Sequence, residues 1–266
     1  MHDLPLPDFH VADPASTTGV VLQSVVKSFQ DRKVLDHLDF KIDRGETVVI
    51  IGRSGEGKSV MLKHIVRLLE PDSGSVWIDG EEITGMRKQR LFEIRKRFGM
   101  LFQGSALFDS MTICENVSLG LVEHSGLSRE EIKGRACDCL AMVGLQASEN
   151  KLPSELSGGM KKRAGLARAI AMQPDYILYD EPTTGLDPIT SDAINDLILK
   201  LQAELNVTSI VVTHDMASAF KIADRMAMLS EGRIIYAGSV DDVRHTGHPV
   251  IRQFIEGSAK GPLSVF

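Results

Sequence analysis

Eight residues, Gly52-Arg53-Ser54-Gly55-Glu56-Gly57-Lys58-Ser59, fit the pattern G-x-x-x-x-G-K-[ST] and constrain the fold more than any other part of the chain. The pattern needs a strand leading in and a helix leading out, and both are readable here. Thr47 to Ile51 is a short apolar run suited to a buried parallel strand. Val60, Met61, Leu62, Ile65, Val66 and Leu69 give the following segment a helical apolar stripe. Between them the glycines let successive backbone N–H groups turn inward at a positive helix terminus, which makes an anion-binding nest. Lys58 adds a point charge for the β- and γ-phosphates, and the Ser59 hydroxyl is a ligand for Mg²⁺. Gly52, Arg53, Ser54, Gly55, Glu56, Gly57, Lys58 and Ser59 are therefore the candidate nucleotide cradle.

A magnesium partner is expected at the end of another buried strand. Tyr176-Ile177-Leu178-Tyr179 supplies the apolar run and places Asp180 at its carboxyl edge, where open α/β sheets bind ligands. Asp180 is the candidate metal residue, and Glu181, one residue further, is placed to polarise an attacking water. A second helix start lies far away at Leu156-Ser157-Gly158-Gly159-Met160, with Ser157 as N-cap. One nucleotide hardly needs two helix N-termini from distant parts of one subunit. Two facing copies, each offering Ser157, Gly158 and Gly159 to the other's nucleotide, explain the pair better.

Around these motifs the chain alternates strand and helix patterns. Strands are expected at 20–26, 34–42, 47–51, 75–78, 98–102, 176–179, 209–212, 225–229 and 233–236. The stretch from about 104 to 165 is mostly helical, and a helix opens again at Ile189. The expected fold is an α/β core with an inserted helical subdomain. At about 150 residues per domain, 266 residues leave room for one such cassette with extensions. The divisions are a flexible N-terminal tail at 1–18, a core at 19–244 and a C-terminal extension at 245–266. The first contains Leu4, Leu6 and Phe9. The last ends in Pro262, Leu263, Val265 and Phe266, either as a docking tip on a loose tether or as a disordered end.

Composition excludes several classes. A net charge of −6 and a pI near 5.8 argue against a non-specific nucleic-acid binder. No apolar stretch approaches the ~20 residues a membrane-spanning helix needs. The acidic, proline-bearing start lacks the basic and apolar regions of a signal peptide. Cys114, Cys137 and Cys139 read as free thiols in a reducing compartment; Cys137-Asp138-Cys139 has no second pair of ligands nearby to make a zinc site.

Ser157-Gly158-Gly159 resembles the signature of ATP-binding-cassette (ABC) ATPases, and the other motifs agree in order between about residues 20 and 240. The resemblance implies an α/β P-loop NTPase core with a mostly parallel sheet, an antiparallel β subdomain and an inserted helical subdomain, and ATP hydrolysis with ATP and Mg²⁺; it carries over residue by residue. Phe29 matches the aromatic that stacks on adenine, although most members have Tyr there. Gln103 matches the glutamine that touches Mg²⁺ and water. Asp187, in Gly185-Leu186-Asp187, matches the loop coupling the two ATP sites. His214 matches the switch histidine at the γ-phosphate. Met160 departs from the Gln or Glu of many members, and with Lys161-Lys162-Arg163 it is similar to the ATPases of Mla-type, MCE-associated phospholipid transporters. That subfamily implies lipid-asymmetry maintenance from the cytoplasmic face of the inner membrane. It also implies a second copy, an integral-membrane permease (MlaE-like), an MCE-domain lipid-binding protein (MlaD-like) and a small STAS-domain subunit (MlaB-like), with no nucleic acid. Ala106, Leu107, Phe108 and Met111 are either the permease contact or core packing. Two rivals remain at this stage: an importer ATPase for amino acids or other small solutes, and a soluble non-transport ABC ATPase. The long heptad insertions or basic groove expected of the second are not visible.

Overall fold

The structure, a computed structural model, describes residues 7–263. Strands β1 (Val20–Phe29), β2 (Arg32–Ile42) and β3 (Thr47–Ile51) come first, and helix α1 (Lys58–Ile65) follows the glycine-rich loop. Next are β4 (Ser73–Ile78), the two-residue β5 (Glu81–Glu82), α2 (Lys88–Arg95) and β6 (Phe98–Leu101). Helices α3 (Ile113–His124), α4 (Arg129–Met142) and α5 (Gly158–Ile170) follow one another, and then come β7 (Tyr176–Asp180), α6 (Pro188–Leu205), β8 (Thr208–Thr213) and α7 (Met216–Ile222). The chain closes with β9 (Arg225–Ser230), β10 (Arg233–Ser239), α8 (Val240–His245) and α9 (Pro249–Glu256). It forms two compact units, one of residues up to Met86 together with Val212 onward, the other of Arg87–Val211. Among the described residues no helix is long and apolar enough to cross a membrane.

In the first unit β2, β1, β4 and β5 lie side by side in that order, and β1 pairs antiparallel with both β2 and β4. The same unit holds β10, β9 and β3, where β9 pairs antiparallel with β10 and parallel with β3. All five residues of β3 are buried, as expected of a parallel strand covered on both faces. The start of β3 is fixed by charge: Asp224 Oδ2 accepts from Thr47 N at 2.7 Å, and Arg225 pairs with Glu46 at 2.7 Å. That strand delivers the phosphate loop. Helix α1 is shorter than its apolar stripe predicts; it stops at Ile65 because Arg67 takes a left-handed backbone (φ 50°), while the amides of Leu68 and Leu69 fold back onto Lys63 O.

Residues 7–18, which composition reads as a tail, pack on this unit. Phe9 meets Phe40 edge-on at 5.9 Å, Gln23 Nε2 donates to Val11 O, and Pro14 is buried. At the other end α9 buries Ile251, and the amide of Gln253 clasps the following loop. Its Nε2 donates to Ser258 O and Leu263 O, and its Oε1 accepts from Leu263 N at 2.7 Å. Leu4, Leu6, Val265 and Phe266, assigned above to the two tails, lie outside the described residues.

In the second unit β6 and β7 pair in parallel, with Phe98 opposite Tyr176 and Leu101 opposite Tyr179, and β8 is the neighbour of β7. Every residue of β7 is buried. Gly99 is required where β6 meets α5, since a Cβ there would stand 2.3 Å from Ala169 O. Helices α3 and α4 open with capping boxes, Thr112 with Glu115 and Ser128 with Glu131, each satisfying otherwise orphaned N–H groups. Helix α6 has Asp187 as N-cap and Pro188 at its first position, and it ends on Asn206 in the left-handed region.

Candidate functional site

The phosphate loop belongs to the first unit. Gly57 caps α1 at φ 103°, and a Cβ there would press on Val34 O at 2.9 Å; at Gly52 a Cβ would meet Leu229 O at 2.4 Å. The loop backbone therefore lies against its neighbours at both ends, while the space at Gly55 is open to 4 Å. Lys58 is buried, and its Nζ donates to Gly52 O at 2.7 Å and Arg53 O at 3.0 Å, which folds the ammonium into the turn. From outside, Arg32 Nη2 donates to Gly55 O, and Glu56 Oε2 accepts from Glu231 N. With no acidic residue in the first turn of α1, the loop and Lys58 form a positive concavity suited to phosphate. Phe29, at the end of β1, is 43 % exposed, so its ring face is available for stacking, and Lys27 Nζ lies 5.7 Å from its centroid. His214 is exposed just after β8, where Asp215 caps α7.

The second unit carries the acidic residues. Asp180 ends β7 and is buried, as is Glu181. Glu181 has a left-handed backbone (φ 51°), and its Oε2 accepts from Thr184 Oγ1 at 3.0 Å. Gln103 is exposed, but its peptide is tied to that of Glu181 through one side chain: Lys162 Nζ donates to Gln103 O at 2.5 Å and to Glu181 O at 3.1 Å. Burial holds the Lys162 ammonium below the usual lysine range, with the carboxylates of Asp180 and Glu181 acting in the opposite direction. In the sequence Lys162 stands only as part of the run that marks the subfamily resemblance. Its anchoring role was missed because nothing in a helical Met-Lys-Lys-Arg run says which lysine turns inward.

The loop after Gln103 is braced too. Arg168 donates to Ser105 O and Ala106 O, and the buried Asn116 bonds Phe108, Met111 and Thr112 backbone atoms. Phe108 stands 50 % exposed above that frame, and Ala106 is exposed.

Ser157 caps α5, its Oγ accepting from Met160 N at 3.3 Å. Ser157 and Gly158 are exposed, whereas Gly159 is buried so tightly that a Cβ would lie 2.5 Å from Thr190 Cγ2. That contact sets α5 beside the start of α6. There Asp187 Oδ1 accepts from Ile189 N and Thr190 N, and Oδ2 accepts from Thr190 Oγ1; these bonds, the Thr190 hydroxyl first, keep its carboxyl below the usual range. The next residue but one, Ile189, is 84 % exposed. Gln103, Asp180 and Glu181 thus share one frame, and Ser157, Gly158, Gly159 and Asp187 share another.

Taken singly, the Ser59 hydroxyl of the first unit and the Asp180 carboxylate and Gln103 amide of the second are hard oxygen donors, the chemical type that Mg²⁺ takes. Among the described residues no group of three His, Cys, Asp or Glu side chains makes a protein-only metal cage.

The chain is similar to proteins of one family. The family model described as ABC transporter matches residues 35–184. The chain is 41 % identical over 233 residues to the intermembrane phospholipid transport system ATP-binding protein MlaF of Escherichia coli, covering 88 % of this chain and 87 % of that one. It is 40 % identical over 258 residues to the chloroplastic protein trigalactosyldiacylglycerol 3 of Arabidopsis thaliana, covering 91 % and 74 %. It is 39 % identical over 257 residues to the "Probable ribonucleotide transport ATP-binding protein mkl" of Mycobacterium tuberculosis, covering 94 % and 72 %. Among solved structures, a dimeric ATP-binding cassette in a post-hydrolysis state with ADP and Pi superposes with a TM-score of 0.77 at 36 % identity, covering 83 % of this chain and 98 % of that one. The cbiO1 subunit of the Clostridium perfringens cbiONQ transporter gives a TM-score of 0.79 at 30 % identity, covering 89 % and 94 %.

Proposed function

The chain belongs to the ABC transporter family, and from that premise we propose that it is the ATP-hydrolysing subunit that powers phospholipid transport between the inner and outer membranes. The observation carrying this reading is the 41 % identity to the Escherichia coli phospholipid transport subunit across most of both chains. A second relative named for a galactolipid supports a lipid cargo over amino acids or other small solutes.

Each protein group then has a chemical task. The loop amides of Gly52–Ser59 and the Lys58 ammonium bind the β- and γ-phosphates, and Phe29 stacks on adenine. Ser59, Asp180 and Gln103 hold Mg²⁺, which when bound neutralises charge on the phosphate oxygens. Glu181 orients the attacking water and takes up its proton, and His214 hydrogen-bonds the γ-phosphate as charge develops on it. Lys162 positions Gln103 and Glu181 through their carbonyls. Ser157, Gly158, Gly159 and Asp187 act on the nucleotide held by a second copy, so the working unit is a dimer.

The braced loop presenting Ala106, Leu107, Phe108 and Met111 is the contact for a membrane permease of the MlaE kind, since a half-exposed aromatic on a rigid frame suits a docking surface better than a core. An MCE-domain protein of the MlaD kind and a small STAS-domain subunit of the MlaB kind complete the assembly, on the cytoplasmic face of the inner membrane. Co-purification of the tagged protein from membranes tests the proposal. A permease with an MCE-domain protein and bound phospholipid is expected. A periplasmic solute-binding protein, or ribonucleotide as the cargo, overturns the lipid reading while leaving the ATPase assignment intact.

A further inference from the structure

The last three residues of β1, Lys27, Ser28 and Phe29, run past the pairing with β4, which ends at Val26 opposite Ser73. On the other side the register with β2 slips between Lys27 and Ser28. A strand end held on one side by an irregular ladder opens easily. Phe29 cannot steady itself there, because a phenyl ring carries no polar atom to anchor it. At 43 % exposed, the ring is not fixed by a core either.

Asp72 supplies what the ladder lacks. It stands just before β4, whose start presses on β1 at Gly74, where a Cβ would lie 2.3 Å from Ser24 O. The Asp72 amide donates to Val26 O at 2.8 Å, and Oδ2 accepts from Ser28 N at 2.7 Å, so backbone and side chain together extend the pairing beyond its last rung. Oδ1 accepts from Lys27 Nζ at 2.7 Å, and the same ammonium donates to Glu70 O at 2.9 Å. Lys27 Nζ is thereby held 5.7 Å from the centroid of the Phe29 ring. The Lys27 hydrogen bond first, then the Ser28 amide, keep the Asp72 carboxyl below the usual aspartate range, so it is ionised at neutral pH. One charged side chain grips both the residue before Phe29 and the cation beside its ring. Across the hairpin, Arg32 lies opposite Phe29 and ties β2 to the phosphate loop through Gly55 O.

We propose that Asp72 is a positioning residue for nucleotide binding, acting through Ser28 and Lys27 to set the Phe29 ring on which the base stacks. The proposal rests on the reading of Phe29 as the base platform. Its consequence is selective. Asp72 matters for ligands that carry a base, and not for a bare phosphate chain, which the loop of Gly52–Ser59 holds.

Calorimetric titration of the full-length protein with ATP and with inorganic tripolyphosphate tests it. Asp72→Ala should weaken ATP about 3–10-fold, part of the worth of an aromatic contact, and leave tripolyphosphate within about twofold. Beside Phe29→Ala, the same substitution should cause no further loss of ATP affinity, since a residue acting through the ring has nothing left to act on. If Asp72→Ala does not fold, Asp72→Asn keeps an acceptor for Ser28 N but drops the charge on Lys27, and it should show the same pattern at about 2–5-fold. Unchanged ATP affinity, an equal loss for tripolyphosphate, or a loss that persists in full beside Phe29→Ala overturns the proposal. Phe29→Ala that binds ATP as the parent does overturns the stacking reading itself, a failure seen without any change at Asp72.

Discussion

Lys162 donates to two carbonyls that lie 59 and 19 residues away in sequence, Gln103 O and Glu181 O, and it does so from a buried position. Replacing it with methionine keeps the length of the side chain but removes both donors. Lys162→Met should lower stability in urea by about 1–3 kcal/mol, the cost of leaving buried acceptors unsatisfied. It should also slow phosphate release, because Gln103 and Glu181 lose their common anchor. Glu181→Gln should behave differently: about 10²–10⁴-fold slower turnover, the usual worth of a positioned base, with nucleotide binding retained in a fluorescence titration. At this scale the sequence was legible wherever chemistry and local pattern coincide. Asp180 and Glu181 follow a buried apolar run, and Lys58 follows glycines. Lys162 was not legible, because its partners are set by tertiary packing and a lysine on a helix normally faces water.

Between elements, the turn joining β9 to β10 is held to β2 by Asp36, which accepts from Lys33 and Arg233 and lies 2.9 Å from His37 Nδ1, while its own amide donates to Gly232 O. These contacts, the Lys33 hydrogen bond first, hold the Asp36 carboxyl far below the ordinary aspartate range against the opposing effect of burial. A depressed carboxylate contributes stability that is present above its unfolded value of 3.8 and is lost as the pH falls through the lowered folded value. The stability difference between the parent and Asp36→Asn should therefore be largest at neutral pH and shrink in acid, measured by urea unfolding across the range. Elements with a strong local signature were readable from sequence. The apolar runs of β3 and β7 and the capping boxes of α3 and α4 belong here. Helix α2 was missed because only Leu91 and Ile94 of its eight residues are buried, which leaves too weak a stripe. Helix α8 was missed because its six residues bury one side chain, Val243.

For the molecule as a whole, the exposed Ser157, Gly158 and Ile189 are residues that a lone subunit leaves in water. Ser157→Arg should abolish hydrolysis while leaving the monomer's nucleotide affinity nearly intact; a variant that hydrolyses normally shows that the signature helix is misassigned. Light scattering of Glu181→Gln with saturating ATP should report twice the monomer mass, and a protein that stays monomeric removes the two-copy model. The ATPase class was readable because its motifs are local and ordered. The cargo was not, since the motifs that identify the family carry nucleotide chemistry and no chemistry of what is transported. One further consequence follows from the left-handed backbone of Glu181. A non-glycine residue there costs about 1–2 kcal/mol, and asparagine tolerates that conformation better than glutamate. Glu181→Asn should melt at the same temperature as the parent or higher while losing turnover, as calorimetry and phosphate release would show. Heat tolerance and catalysis therefore pull this residue in opposite directions, and a screen ranked by melting point alone would select against the working enzyme.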